Sequence, residues 1–286
     1  MDDNQALPAD LVKRAKEELG ETPKRLRDVL DTLRARIAAL PPHDRLEDVS
    51  DANLVRFVRG RKYRIERALE TSITLARFNS SYPEFTARLS ASEFSAIAPA
   101  FRVLPEPDVN GRVVVVLRPP IAVPGLKKLG SVAMVRVCVW FFDCLSRIPR
   151  AQVCGVTILH SFAGITLADQ RWLGTRPMRY NIAVMQYMNT CVALRLSTYL
   201  CFDLPLPLRP LFYMCTALLS SKLRARCQLC GGDLQRARRL LAEPEVLPKC
   251  LGGSAPEPLT GPEPLPKGLG CFGRRVFACC YSQPRV

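Results

Sequence analysis

Five consecutive apolar residues, Val113–Leu117 (VVVVL), constrain this chain more than any other feature. Four β-branched valines in a row disfavour a helix, and a strand with one face in water would alternate with polar residues. A continuous run of this length therefore reads as a strand buried on both faces of a parallel sheet. Parallel strands need crossover helices, and the residues downstream supply them. A helical stretch is expected at 131–147, a second strand at 153–159 and a helical segment at about 168–187. A third strand alternates through Val192, Leu194, Leu196 and Leu200. Strand and helix alternate, which predicts βαβ units and an α/β fold.

The first hundred residues follow a different period. Leu26, Val29, Leu30, Leu33, Ile37 and Leu40 recur at helical spacing, as do Leu54, Phe57 and Val58, then Ile65, Leu69, Ile73 and Ala76. This predicts a small bundle of amphipathic helices. Pro41 and Pro42 end the first long helix, and Ser50 or Asp51 is placed to cap the next. After the third strand, DLPLPLRPLFYMCTALLSSKLRARC reads as a proline-rich turn into a helix over 206–219, apolar from Leu211 to Leu219, with a short strand at Cys227. A last helix spans 233–242, and Pro244, Pro248, Gly252 and Gly253 shape the turn behind it. The expected organisation is a helical domain at 10–90, an α/β domain at 91–255 and a Pro/Gly/Cys-rich tail at 256–286.

Charge and cysteine content narrow the function. Forty-one Lys and Arg against 26 Asp and Glu give a net charge of +15, which favours an anionic partner, phospholipid headgroups or nucleic acid. The basic residues are dispersed and no recognition module with interleaved aromatics is present, so nucleic acid is not expected. Residues 1–20 lack the continuous apolar core of a secretory signal, so a cytoplasmic location and mostly reduced thiols among the 12 cysteines are expected. The greasy region 187–219 is interrupted by Arg195, Asp203, Arg209 and prolines and falls short of a membrane span. Cys227 and Cys230 have CxxC spacing, but Cys250 adds at most a third ligand, and His43 and His160 lie far off. With no phosphate loop, HExxH motif or nucleophile elbow, neither an enzyme nor a metal or other cofactor is expected.

Three segments in order carry a family resemblance. DANLVRFVRGRKYRIERALE, DVNGRVVVVLR and PEVLPKCLGG resemble the N-terminal helical motif, the first core strand and the closing signature of the CRAL-TRIO lipid-transfer family. The chain resembles in particular the branch that holds the α-tocopherol transfer and cellular retinaldehyde-binding proteins, and the likeness covers roughly residues 10–255. It implies a pocket for one hydrophobic molecule, a tocopherol or retinoid in that branch, closed by a mobile gate helix at 206–219.

On the helix at 131–147, Val135, Cys138, Val139 and Phe142 share a face at spacings of three and four. Such a face serves core packing as readily as a cavity wall. By resemblance, Val192, Leu194 and Leu196 on the third strand and Leu211, Met214 and Leu218 on the gate lie near the pocket. Cys138 and Phe142 stand where the branch's tocopherol carrier has small hydroxyl residues, which implies a pocket of altered shape.

The resemblance also implies that Arg61, Arg195, Lys222 and Arg226 form a cleft for phosphoinositide phosphates, with docking at endosomal or other phosphoinositide-rich membranes. The bland counterpart is a solvated basic face. A membrane adaptor that binds phosphoinositide but transfers no lipid is the alternative function. In the tail, Cys271, Cys279 and Cys280 beside Arg274 and Arg275 suit either reversible acylation or an unstructured end.

Overall fold

Four helices build the N-terminal layer because each carries one apolar stripe. They are α1 (Ala9–Leu19), α2 (Pro23–Ala38), α3 (Asp51–Gly60) and α4 (Ile65–Ser81), followed by the short α5 (Pro83–Thr86) and α6 (Ala91–Ile97). The structure, a computed structural model, describes residues 7–255; the tail cysteines lie outside the described residues. Leu26, Leu30, Leu33 and Ile37 on α2 are buried together. Thr22 caps that helix by accepting from the Arg25 amide, with Pro23 in its first turn. Ser50 does hold the N-cap position of α3, yet its hydroxyl makes no capping bond, and Asp51 pairs with Arg34 instead.

The fold is α/β with a mostly parallel sheet. Strands β1 (Phe101–Val103), β2 (Val113–Leu117), β3 (Val156–Ser161), β4 (Leu196–Phe202) and β5 (Cys227–Gly231) lie in chain order, β2 to β5 parallel and β1 antiparallel on β2. Helices α7 (Pro119–Arg147), α8 (Pro149–Val153), α9 (Leu167–Thr175), α10 (Met178–Gln186), α11 (Arg209–Ala217), α12 (Ser221–Arg224) and α13 (Gln235–Arg238) connect and cover them. The VVVVL strand is buried on both faces as its composition requires: Val113 and Val115 pack with the helices, Val114 and Val116 with Leu159, Leu200, Phe202, Leu247 and Leu251. The PEVLPKCLGG turn supplies that second cover. Gly252 has φ 83°, and a Cβ on Gly253 would lie 2.0 Å from the Leu247 carbonyl oxygen, so both glycines are required.

Several elements differ from the sequence expectation. The helix at 131–147 is the second half of α7, which begins at Pro119 and is broken at Gly130 (φ 85°, ψ 174°). By length and composition α7 would suffice to cross a membrane, but here it is a broken core helix with Val135, Val137, Phe141 and Leu145 buried. The segment at 168–187 is two helices, because Pro177 cannot continue α9. The second strand starts at Val156 rather than 153, after the α8 turn and Gly155 (φ 93°). The third starts only at Leu196: a π-turn at Tyr187–Cys191 leads into residues 192–195, whose Ala193 packs against Gly60 so closely that a Cβ there would lie 2.2 Å from its carbonyl oxygen. The last helix shrinks to α13.

Two buried arginines fasten the helical layer to the α/β layer. Arg56 donates to Asp143 and, at 2.9 Å, to the Ser146 hydroxyl. Arg59 grips Glu21 with two bonds of 2.9 and 2.7 Å and donates to the Gln152 side chain at 3.0 Å. The paired charges are what make this burial tolerable, although the buried Nε of Arg56 finds no acceptor.

Candidate functional site

Between the sheet and its helices lies a cavity of about 270 Å³. Strand register assembles its floor: Leu117 stands beside His160, and Tyr199 beside Cys227, all on one side of the sheet. Alternation requires this, since the neighbours Leu159 and Leu200 point to the opposite core. Met134, Val137, Cys138 and Phe142 of α7 form one wall. Residues of α9, α10 and their junction form another, including Leu173, Arg176, Asn181 and Val184.

The roof is the proline-rich turn and α11. Leu204, Leu208, Leu211, Phe212, Cys215 and Leu219 face the cavity, whereas Leu206 (70% exposed), Tyr213, Met214 (50%) and Leu218 (45%) face outward. No residue of α11 is buried. The segment is apolar on both sides.

Most of the few polar groups inside are held neutral, Arg176 being charged. Burial pushes His160 down from 6.5 to about 3, and its Nδ1 pairs with the Tyr199 hydroxyl, whose own ionisation burial pushes far up. Cys138 and Cys227 are pushed up to about 11 by burial and remain thiols. Asn181 accepts from Arg176 at 3.2 Å. Walls of this kind bind apolar matter and orient it with few polar contacts.

The pocket residues expected from sequence fall into three places. Cys138, Phe142 and Leu211 line the cavity. Val192, Leu194 and Leu196 line a void of about 20 Å³ next to it, bounded also by Phe142, Met188 and Leu219, which line both spaces. Val135 and Val139 turn away into the core beneath α3, because one side of α7 packs on the helical layer while the 134/137/138 side meets the cavity. Met214 and Leu218 are on the outer face of the roof. Met134, His160, Arg176 and Tyr199 are cavity residues that the periodicity did not single out.

A second constellation is basic. Lys222, on α12 just past the roof, is exposed, and its ammonium is held below its usual range chiefly by Arg226, then by partial burial and by Lys62, Arg67 and Arg64. Among the described residues no carboxylate pairs with it. Burial first, then Arg112 and Arg195, depresses Arg226. Arg61 donates to the Thr71 hydroxyl at 2.8 Å and the Val192 carbonyl at 3.2 Å. Arg226 donates to the Leu196 carbonyl. Arg195 donates to the Val153 carbonyl and, at 3.1 Å, to Glu18. Lys222, Arg226 and Arg195 thus form a chain of like charges, and Arg61 joins it through Arg67. Lys62, Arg64 and Arg67 were missed in the sequence because a turn, with Lys62 (φ 52°) and Tyr63 (φ 59°) in the left-handed region, sets Lys62 and Arg64 beside Arg67 at the start of α4. Cys227 and Cys230 share β5, and among the described residues no group of three His, Cys, Asp or Glu is placed to hold a metal.

Comparison with known proteins decides the family. A family model described as the CRAL/TRIO domain matches residues 100–253, more than half of the chain. The chain belongs to the CRAL/TRIO family. Within it, the chain is 30% identical over 255 residues to proteins named alpha-tocopherol transfer protein-like from Homo sapiens and Pongo abelii, covering 88% of this chain and 72% of each relative. The Mus musculus protein of that name is 29% identical over the same length. A solved structure of Sfh5 matches with a TM-score of 0.54 at 11% identity, covering 90% of this chain and 99% of that one, a likeness of fold. CRAL/TRIO membership supports lipid binding and transfer in general terms.

Proposed function

We propose that the protein carries one small hydrophobic lipid in the cavity and transfers it between membranes, docking through the Lys222 cluster on phosphoinositide. The observation that supports this most is the roof. One stretch of chain, Leu204 to Leu219, covers an apolar cavity with one face and exposes Leu206, Tyr213, Met214 and Leu218 on the other. A membrane accepts the outer face and the cavity's contents together, so docking and opening favour each other.

The basic cluster stands at the end of that roof. Each cation near an anionic membrane adds about 1 kcal/mol, and arginine forks take phosphate oxygens in pairs. Lys222, Lys62, Arg64 and Arg67 are exposed for this purpose, whereas Arg61, Arg195 and Arg226 also brace the backbone at 153 and 192–196. On this reading the protein is peripheral at phosphoinositide-rich membranes such as endosomes.

Mass spectrometry of the purified protein tests the cargo, and a vesicle assay tests the docking. We expect a co-purifying lipid, and transfer accelerated by phosphoinositide in the acceptor vesicles. A double Lys222→Ala and Arg67→Ala variant is expected to lose most of that acceleration. Equal acceleration in wild type and variant sinks the docking site; vesicle binding by a protein that carries and transfers no lipid establishes the adaptor alternative.

A further inference from the structure

We infer that the lipid in this cavity bears a carboxylate, which Arg176 receives. The inference rests on the carrier reading and specifies its cargo. Arg176 follows α9 and precedes Pro177, and its side chain lines the cavity near Cys138 and Cys215. A guanidinium has five N–H donors. Here one Nη donates to the Met134 thioether, a weak acceptor, and the other to the Asn181 amide oxygen at 3.2 Å, while the buried Nε has no acceptor. The Trp172 ring stacks on it at 5.1 Å.

Among the described residues Arg176 makes no ion pair, unlike Arg56 and Arg59, whose charges are met by Asp143 and Glu21. A cation in an apolar wall without a counter-charge is costly by itself, and a ligand that supplies the charge recovers that cost on binding. Other polar wall groups do not compete for the role. His160 and Tyr199 satisfy each other, and Arg118 is turned to the Ala163 carbonyl and the Cys250 sulfur.

The charge count selects the head group. One uncompensated guanidinium balances a single negative charge and its fork matches the two oxygens of a carboxylate. A phosphate monoester carries nearly two charges and asks for more. The remaining walls, Val137, Leu173, Val184 and Phe212, are suited to a hydrocarbon chain or ring.

The test uses the full-length protein with a fluorescent polyene fatty acid and its methyl ester, identical except for the charge. We expect wild type to bind the acid at least about tenfold more tightly than the ester. Arg176→Met should bring that ratio close to one, and Arg176→Lys should keep part of it. Equal wild-type affinities, a neutral co-purifying lipid, or stronger displacement by a monoacyl phosphate than by a fatty acid would overturn the carboxylate while leaving the carrier intact. No bound lipid of any class, by either assay, removes the carrier reading and this inference together. The wild-type comparison decides the matter even if a variant fails to fold.

Discussion

His160 shows how strongly the cavity's dielectric acts on one side chain. Burial lowers it from 6.5 to about 3, so the unfolded chain takes up a proton that the fold refuses across that interval. Stability is therefore full above pH 6.5 and declines as pH falls toward 3, at a limiting slope of about 1.4 kcal/mol per unit. Urea unfolding at pH 7 and pH 5 should show this loss in wild type and a smaller one in His160→Gln. Unchanged slopes would place His160 in contact with water. Against a desolvation penalty, Asp143 is held low by Arg56 and Arg147, and Glu93 by the Ser90 amide and hydroxyl and then Arg136; both add their own loss only further down in pH. Individual side chains of this sort were the least legible part of the sequence. His160 figures there only as a histidine far from the cysteines and Arg176 is not singled out, since nothing local reports that sheet register and a helix junction turn both into one cavity.

Elements were easier to read, and the reasons for success and failure are specific. VVVVL announces itself because two buried faces demand an unbroken apolar run. Strand β1 has only three residues, too few to display a period. Gly130 interrupts α7 shortly after Lys127 and Lys128, where no proline marks the break, whereas Pro177 does mark the division between α9 and α10. Leu194 alternates like a strand residue yet precedes β4, because Gly60 and Arg61 hold the 192–195 backbone in place of a neighbouring strand. The α3 attachment is an element-level property with a clear cost. Arg59→Ala leaves Glu21 buried without its partner and should destabilise the protein by about 3 to 5 kcal/mol. Chemical denaturation checks this, and a loss below about 1 kcal/mol would mean that Glu21 finds water once Arg59 is removed.

For the whole molecule, the roof and the cluster beside it set what surfaces this protein tolerates. Glutamates at Met214 and Leu218 leave the inner face of α11 untouched, since both residues point outward. The double variant is expected to slow transfer between vesicles severalfold while retaining co-purified lipid. Loss of the lipid instead would mean that these side chains reach the cargo. The family, the layer order and the closing turn were all legible at this scale, because each is a matter of pattern along the chain. The distribution of pocket residues between cavity, small void and core was not, because it depends on the rotation of α7 by a fraction of a turn.

A segment whose one charge, Arg209, stands at its start has no hydrophilic side to give it a resting orientation in water. Turned either way, the stretch from Leu206 to Leu218 keeps one row of hydrocarbon in contact with solvent, so the closed state carries a permanent surface tension of its own. Any apolar surface that meets the row relieves that tension. Concentration and container thus become variables of its behaviour, as they are for a surfactant.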